Sequence, residues 1–221
     1  LLHRAFEAHA ARAPDAIAVT DGGAEYSYAE LDGRANRLAH ALIEMGVQPD
    51  TPVGLCTAPG IDQLAALMGI LKAGGGYVPL DPDLPAERLR LIEARARPVC
   101  IVGDRAASER AGLDAPVLCM DGDARRIEAQ PNRNPGIALA EDSLCYVMFT
   151  SGSTGVPNGV MVTHGNVAGL FDGLADRLGL NSDDVFSQLH RCAFGYSVFE
   201  IWGALSHGGR LVIVPPAMRR D

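Results

Sequence analysis

Lysine is almost missing from this sequence: Lys72 is the only one, so nearly all of the positive charge is arginine. Chemistry that needs a second lysine is excluded from these residues. Basic charge is short altogether, because 27 Asp and Glu against 19 Lys and Arg leave a net charge of −8, which argues against a nucleic-acid or anionic-membrane binder. No apolar run approaches the roughly 18 residues of a transmembrane helix. The segment from Leu1 shows no basic start, apolar stretch and cleavage site of a signal peptide, so a soluble, cytoplasmic protein is expected. The five cysteines, Cys56, Cys100, Cys119, Cys145 and Cys192, include no CxxC pair, and each lies in or near an apolar run. Buried thiols in a reducing compartment are expected. Internal repeats and low-complexity stretches are absent as well.

What is present is an alternation of short apolar runs with segments of helical period, the pattern of an α/β chain built on mostly parallel strands. With 221 residues, 48% of them hydrophobic, the chain can bury a sizeable core as one large domain or two small ones. Ser27 and Glu30 have capping-box spacing ahead of Leu31, Ala35, Leu38, Leu42 and Met45, which predicts a helix stopped by Gly46. Val53 to Cys56 reads as a strand. Asp62 is placed to cap a helix from Gln63 to Ala73, ended by Gly74-Gly75-Gly76. Tyr77 to Pro85 holds three prolines, which predict a rigid surface loop, with Pro85 suited to the next helix start.

Val99 to Val102 and Val117 to Met120 read as strands around a brief helix near Ala106 to Ala111. Ala129 to Asp142, rich in Pro, Asn and Gly, reads as a loop and not as a domain boundary, since the alternation resumes beyond it. Leu144 to Phe149 is an apolar strand; after a polar loop and a short extended piece, a helix from about His164 to Leu178 follows, capped by Thr163. Ser197 and Glu200 again have capping-box spacing, opening a helix through Leu205 that Gly208-Gly209 closes, and Arg210 to Val214 reads as a last strand.

The densest chemical signal lies between the strand at Phe149 and the helix at His164: Thr150-Ser151-Gly152-Ser153-Thr154-Gly155. Glycine lets backbone amides turn toward an anion and each hydroxyl adds a donor, so such a loop can wrap phosphate oxygens without fixed charge. An ordinary Ser- and Gly-rich turn is the other reading. A Walker-type loop is excluded, because no lysine follows the last glycine.

Four segments in order resemble the adenylate-forming superfamily, most closely the amino-acid adenylation domains of nonribosomal peptide synthetases. They are Tyr26 to Leu31, Leu71 to Pro82, Tyr146 to Val167 and His190 to Leu205. The resemblance runs the length of the chain. It implies layered mixed sheets with flanking helices, residues 1–221 being the N-terminal part of the large domain. It also implies a two-step reaction in which a carboxylic or amino acid attacks the α-phosphate of ATP, with Mg2+ present, and the acyl group then passes to a phosphopantetheine thiol. Implied partners are a carrier-protein domain and neighbouring synthetase domains. The resemblance gives Thr150, Ser151, Gly152, Ser153, Thr154 and Gly155 to the ATP phosphates, and Phe194, Gly195, Tyr196 and Phe199 to the acid pocket. No protein metal ligand is implied.

The chain departs from the family pattern in three ways. Asn158 stands where TGxPKG has lysine, so a cation facing phosphate is replaced by a neutral amide. Gly195 stands where FDxSxxE has the aspartate that pairs with a substrate α-ammonium. An ordinary α-amino acid is therefore disfavoured against aryl, hydroxy or β-amino acids, since burying an unpaired ammonium is costly. The small domain's catalytic lysine would lie beyond Asp221, and Lys72, read as a helix-end residue favoured by the dipole, cannot replace it. These residues by themselves are not expected to complete catalysis. A degenerate or truncated module serving as a scaffold or docking element is the alternative, and an acyl-CoA or aryl-acid ligase a weaker third. Tyr196 and Phe199 could equally be core. Trp202 reads as core, Glu200 as a capping residue, and His164 and His190 as packed or surface histidines, a direct catalytic role being the other reading.

Overall fold

The computed structural model describes residues 1–103, 106, 109–110, 112–150, 157–215 and 218. Two mixed sheets organise them. β1 (Ile17–Asp21), β2 (Ala24–Ser27), β9 (Val185–Gln188) and β10 (Arg210–Ile213) form the first, in the order β2-β1-β10-β9, antiparallel only between β1 and β2. The second joins β3 (Pro52–Cys56), β4 (Gly76–Pro79), β5 (Ile101–Gly103), β6 (Val117–Cys119), β7 (Leu144–Thr150) and β8 (Asn158–Thr163). Its order is β6-β5-β3-β4-β7-β8, antiparallel only between β7 and β8.

The helices are α1 (Leu2–Arg12), α2 (Tyr28–Glu44), α3 (Ile61–Lys72), α4 (Ala86–Ala96), α5 (Ala124–Glu128), α6 (His164–Leu178) and α7 (Tyr196–Leu205). The segment expected to be helical near Ala106 to Ala111 lies largely outside the described residues. α2 and α3 form the centre of the packing: α2 lies against β1 and β2, and α3 against β3 and β4. Every α3 residue but Asp62 is buried, the pattern of a helix enclosed by protein on all sides and not of an amphipathic surface helix. Gly69 permits this closeness, because a Cβ there would lie 2.8 Å from Leu38 Cβ and 3.1 Å from the Ala35 carbonyl oxygen. A smaller apolar cluster, including Cys56, Val78, Leu89 and Ile101, packs α4 on the six-stranded sheet.

Local signals set α2. Ser27 Oγ accepts from Glu30 N (3.2 Å) and Glu30 Oε2 accepts from Ser27 N (2.7 Å), the reciprocal capping box. Gly46 ends it in the left-handed region at φ 93°. Asp62 does not cap α3, which begins at Ile61 with its first amide donating to Asp21 Oδ2 from β1 (3.0 Å), while Asp62 pairs with Arg34 at 3.3 Å. Thr163 and Asn166 do cap α6 reciprocally, Thr163 Oγ1 accepting from Asn166 N and Asn166 Oδ1 from Thr163 N.

The three-proline stretch is not wholly a surface loop. Tyr77 and Val78 are fully buried in β4, which pairs in parallel with β3 and β7. Pro79 is tolerated because it is the last strand residue, and Leu80 N resumes bonding to the Leu55 carbonyl at 2.9 Å. The loop from Ala129 to Asp142 is strapped to α2, with Asn36 Nδ2 donating to the Asn132 carbonyl (2.7 Å) and His40 Nε2 3.0 Å from that of Arg133.

Lys72 is the last residue of α3, the helix end read from the sequence, and it is buried. Its side chain is 0% exposed and its Nζ lies 2.5 Å from Glu7 Oε1 on α1 and 2.9 Å from Asp32 Oδ1 on α2. An unpaired buried ammonium would be untenable, so one cation joins three helices. Lys72→Ala is expected to lower unfolding free energy in urea by about 3 kcal/mol, the scale for breaking a buried pair from one side; a loss under about 1 kcal/mol would contradict this.

Candidate functional site

β7 and β8 form a hairpin that brings the third motif to one end of the six-stranded sheet. Thr150 stands opposite Asn158 and Phe149 opposite Gly159. Thr150 and Asn158 are both exposed, at the base of the connection. Ser151, Gly152, Ser153, Thr154 and Gly155, which carry the phosphate reading, lie outside the described residues. The order of elements still refines that reading. Six strand residues, about 20 Å at the usual rise, separate Asn158 from the start of α6. The two described ends of the connection, Thr150 and Asn158, thus lie at a sheet end, one strand length from the start of α6.

His164, the first residue of α6, is sequestered. It is 0% exposed, neither ring nitrogen has a hydrogen-bond partner among the described residues, and its ring meets that of His3 edge-on at 5.3 Å. Burial pushes His164 down to about 4 and, aided by the His164 charge, His3 down to about 3. Both are neutral packing residues that dock α1 on α6. Trp202 is fully buried, as expected.

The fourth motif forms an exposed aromatic cluster on a well-anchored base. β9 ends at buried Gln188, whose Nε2 donates to Gln63 Oε1 on α3 at 3.2 Å. The expected Ser197–Glu200 capping box does not form. Ser197 Oγ donates to the Phe194 carbonyl at 2.8 Å, and α7 begins without a side-chain cap. Glu200 turns instead to His190: its Oε2 accepts from His190 N (3.1 Å) and its Oε1 lies 2.7 Å from His190 Nδ1. His190 stacks on Phe194 (5.1 Å between centroids, 19°) and meets Tyr196 at 5.0 Å. Phe194 and Tyr196 are 59% and 54% exposed, which places them at a surface and not in the core. Phe199 is half-buried, joining Tyr196 to Phe171 and Phe186. Beside them a Cβ on Gly195 would meet nothing within 4 Å, so open space lies where an aspartate would project.

One further contact was not legible locally. Arg191 Nη1 lies 2.7 and 2.9 Å from the two carboxylate oxygens of Asp81 and 2.7 Å from Asp83 Oδ2. This clamp ties the second motif to the fourth across 110 residues of sequence; no periodicity signals such a pairing. Buried Cys192 follows, its thiol pushed up to about 12 by desolvation. Two clefts of about 340 Å³ lie elsewhere, one lined by Arg34, Leu38, Met120 and Ile127, the other by Asp21, Thr57, Gly60 and Asp121. Neither contains a third- or fourth-motif residue. Among the described residues no three His, Cys, Asp or Glu side chains converge to hold a metal ion. No described helix is long and apolar enough to cross a membrane.

Residues 6–221 match the family model described as AMP-binding enzyme. The chain is 41% identical over 225 residues to the dimodular nonribosomal peptide synthase of Bacillus subtilis (strain 168), covering 98% of this chain and 10% of that protein. It is 41% identical over 222 residues to the malpinin synthetase of Mortierella alpina, covering 100% and 3%. It therefore spans a tenth or less of these two relatives. Among solved structures, the nonribosomal peptide synthetase FmoA3 superposes with a TM-score of 0.92 at 32% identity, over 100% of this chain and 23% of that one. Forms of FmoA3 described as bound to AMPPNP and to α-methyl-L-serine-AMP superpose at 0.89 and 0.90.

The two neutral histidines make stability depend on pH. Between about pH 6.5 and pH 4 the unfolded chain binds their protons and the native one does not. Stability should fall as pH drops through that window, by up to about 1.4 kcal/mol per pH unit for each histidine. Urea titrations across the window read the slope, and replacing both residues with Gln should flatten it; an unchanged slope would contradict the assignment.

Proposed function

The chain belongs to the AMP-binding enzyme family, and we propose that residues 1–221 are the N-terminal part of the large domain of a nonribosomal peptide synthetase adenylation domain. The observation that carries the reading is the end-to-end superposition on FmoA3, whose solved forms include AMPPNP and acyl-adenylate complexes. In this reading the chain positions ATP and a carboxylic acid. A carboxylate oxygen attacks the α-phosphorus, the bond to the bridging oxygen toward the β-phosphorus breaks, and pyrophosphate leaves. A phosphopantetheine thiolate of a carrier-protein domain then attacks the acyl carbon, and AMP leaves. Mg2+, when bound with the nucleotide, neutralises phosphate charge.

The roles of this chain's residues follow from their placement. Thr150, with Ser151, Gly152, Ser153, Thr154 and Gly155, offers hydroxyl and amide donors to the phosphates from the hairpin end, and Asn158 contributes a neutral donor beside Thr150. Phe194, Gly195, Tyr196 and Phe199 line the acid side. The lysine that contacts carboxylate and α-phosphate, the remainder of the large domain and the small domain belong to sequence other than these residues. Glycine in place of aspartate at position 195 supports an acid without an α-ammonium at that place, since an unpaired buried ammonium is costly. Asn158 and Gly195 together support a second reading, a degenerate module kept as a scaffold.

Acid-dependent ATP–pyrophosphate exchange by the full-length protein separates the two. The proposal expects exchange with aryl, hydroxy or β-amino acids above that with common α-amino acids; no exchange with any class overturns it in favour of the scaffold. Asn158→Lys should lower the KM for ATP by about tenfold, the worth of one charge-assisted contact. Gly195→Asp should raise exchange with α-amino acids, again by about tenfold or more if the new carboxylate meets the ammonium.

A further inference from the structure

The end of the four-stranded sheet opposite the fourth motif carries a cleft that no role above uses. β1, β9 and β10 run parallel, and Ala16, Ser182 and Gly208 stand shortly before their first residues, whereas the fourth motif follows the last residue of β9. Those three residues, with His9, Arg12, Ala13 and Tyr28, line a space of about 320 Å³. Its polar groups are held in a chain. His9 Nε2 lies 3.1 Å from the Ser206 carbonyl oxygen, which only accepts, so the ring proton is on Nε2. Nδ1 is then a lone pair, and Arg12 Nη2 donates to it at 2.6 Å. A guanidinium has donors only, so both contacts require the same neutral tautomer. Burial and then the Arg12 charge hold His9 below the usual histidine range, in agreement. Gly208 leaves room for the ring, since a Cβ there would lie 2.7 Å from His9 Nδ1.

A cation in the last turn of a helix is ordinary by itself. What sets Arg12 apart is the neutrality of its anchor. Arg34, Arg126, Arg191 and Arg210 are each held by carboxylates, which neutralise them. Arg12 is held by an imidazole, has no ion pair among the described residues, and shares the cleft with no acidic lining residue. Its orientation is fixed while its charge stays available. The geometry points to a second ligand site at this cleft, for the carboxylate of a small organic acid, with Arg12 and Ser182 as donors and His9 as the residue that positions Arg12. The planar fork of a guanidinium matches a carboxylate. One cation and one hydroxyl suit a monoanion and not a polyphosphate, and walls at Ala13, Ala16 and Tyr28 suit an apolar body behind the charge. The site lies a strand length from the acid pocket and does not rest on the adenylation reading.

The test is fluorine-19 NMR of 4-fluorobenzoate titrated with the full-length protein. Saturable binding is expected. Arg12→Gln should weaken it about tenfold or more and leave ATP–pyrophosphate exchange unchanged. Ser182→Ala, an exposed substitution that decides the matter alone if Arg12→Gln does not fold, should weaken binding about threefold. 4-Fluorobenzamide, of the same shape without the charge, should not displace the benzoate, and inorganic phosphate should displace it poorly. An aryl acid held in the acid pocket is indifferent to both substitutions, so binding undiminished in the variants overturns the inference without touching adenylation. Absence of saturable binding, or ready displacement by the amide or by phosphate, overturns it as well.

Discussion

A cation held inside a helix layer is the constraint from which the packing follows. Lys72 ends α3, the helix that the surrounding elements enclose, and its charge has no water to return to. Glu7 and Asp32 must come to it, which fixes where α1 and α2 lie. With α2 fixed, Tyr28 Oη donates to the Gly209 carbonyl at 2.7 Å and sets the approach to β10. With α3 fixed, Gln63 meets Gln188 and sets the end of β9. The fourth motif begins from that point, so the placement of its aromatic cluster traces back through polar contacts to the interior of the helix layer.

The two candidate regions differ in how they are built. The third motif is set by sheet register, because the β7–β8 pairing puts Asn158 opposite Thr150 whatever the connection between them does. The fourth is set by side chains. Arg191 is held by Asp81 and Asp83, His190 by Glu200, and the aromatic rings stack outward from that anchored base. Rigid support beneath an exposed cluster suits a surface that must hold its shape while a small molecule enters.

How much was legible depended on whether each signal was local. The α2 capping box was readable because Ser27 and Glu30 satisfy each other within one turn. Ser197 and Glu200 show the same spacing and fail as a cap, because His190 supplies the Glu200 carboxylate with two better-placed donors. Proline content misjudged Tyr77 and Val78, since a terminal Pro79 costs a strand little. Lys72 was legible as a helix-end residue but its burial was not, because nothing near it in sequence announces Glu7 and Asp32. The order of the motifs conveyed the family, whereas the Arg191 clamp and the His190–Glu200 pair joined residues whose kinship only tertiary structure provides.

Mapping the binding of a non-hydrolysable ATP analogue onto the amide spectrum of the protein tests the central claim most directly. The account predicts saturable shifts at Thr150, at the Asn158 side-chain amide and at residues 151–156, with little change along α2 and α5. Shifts confined to the cleft lined by Arg34, Met120 and Ile127, or no saturable shift at the hairpin end, would contradict it.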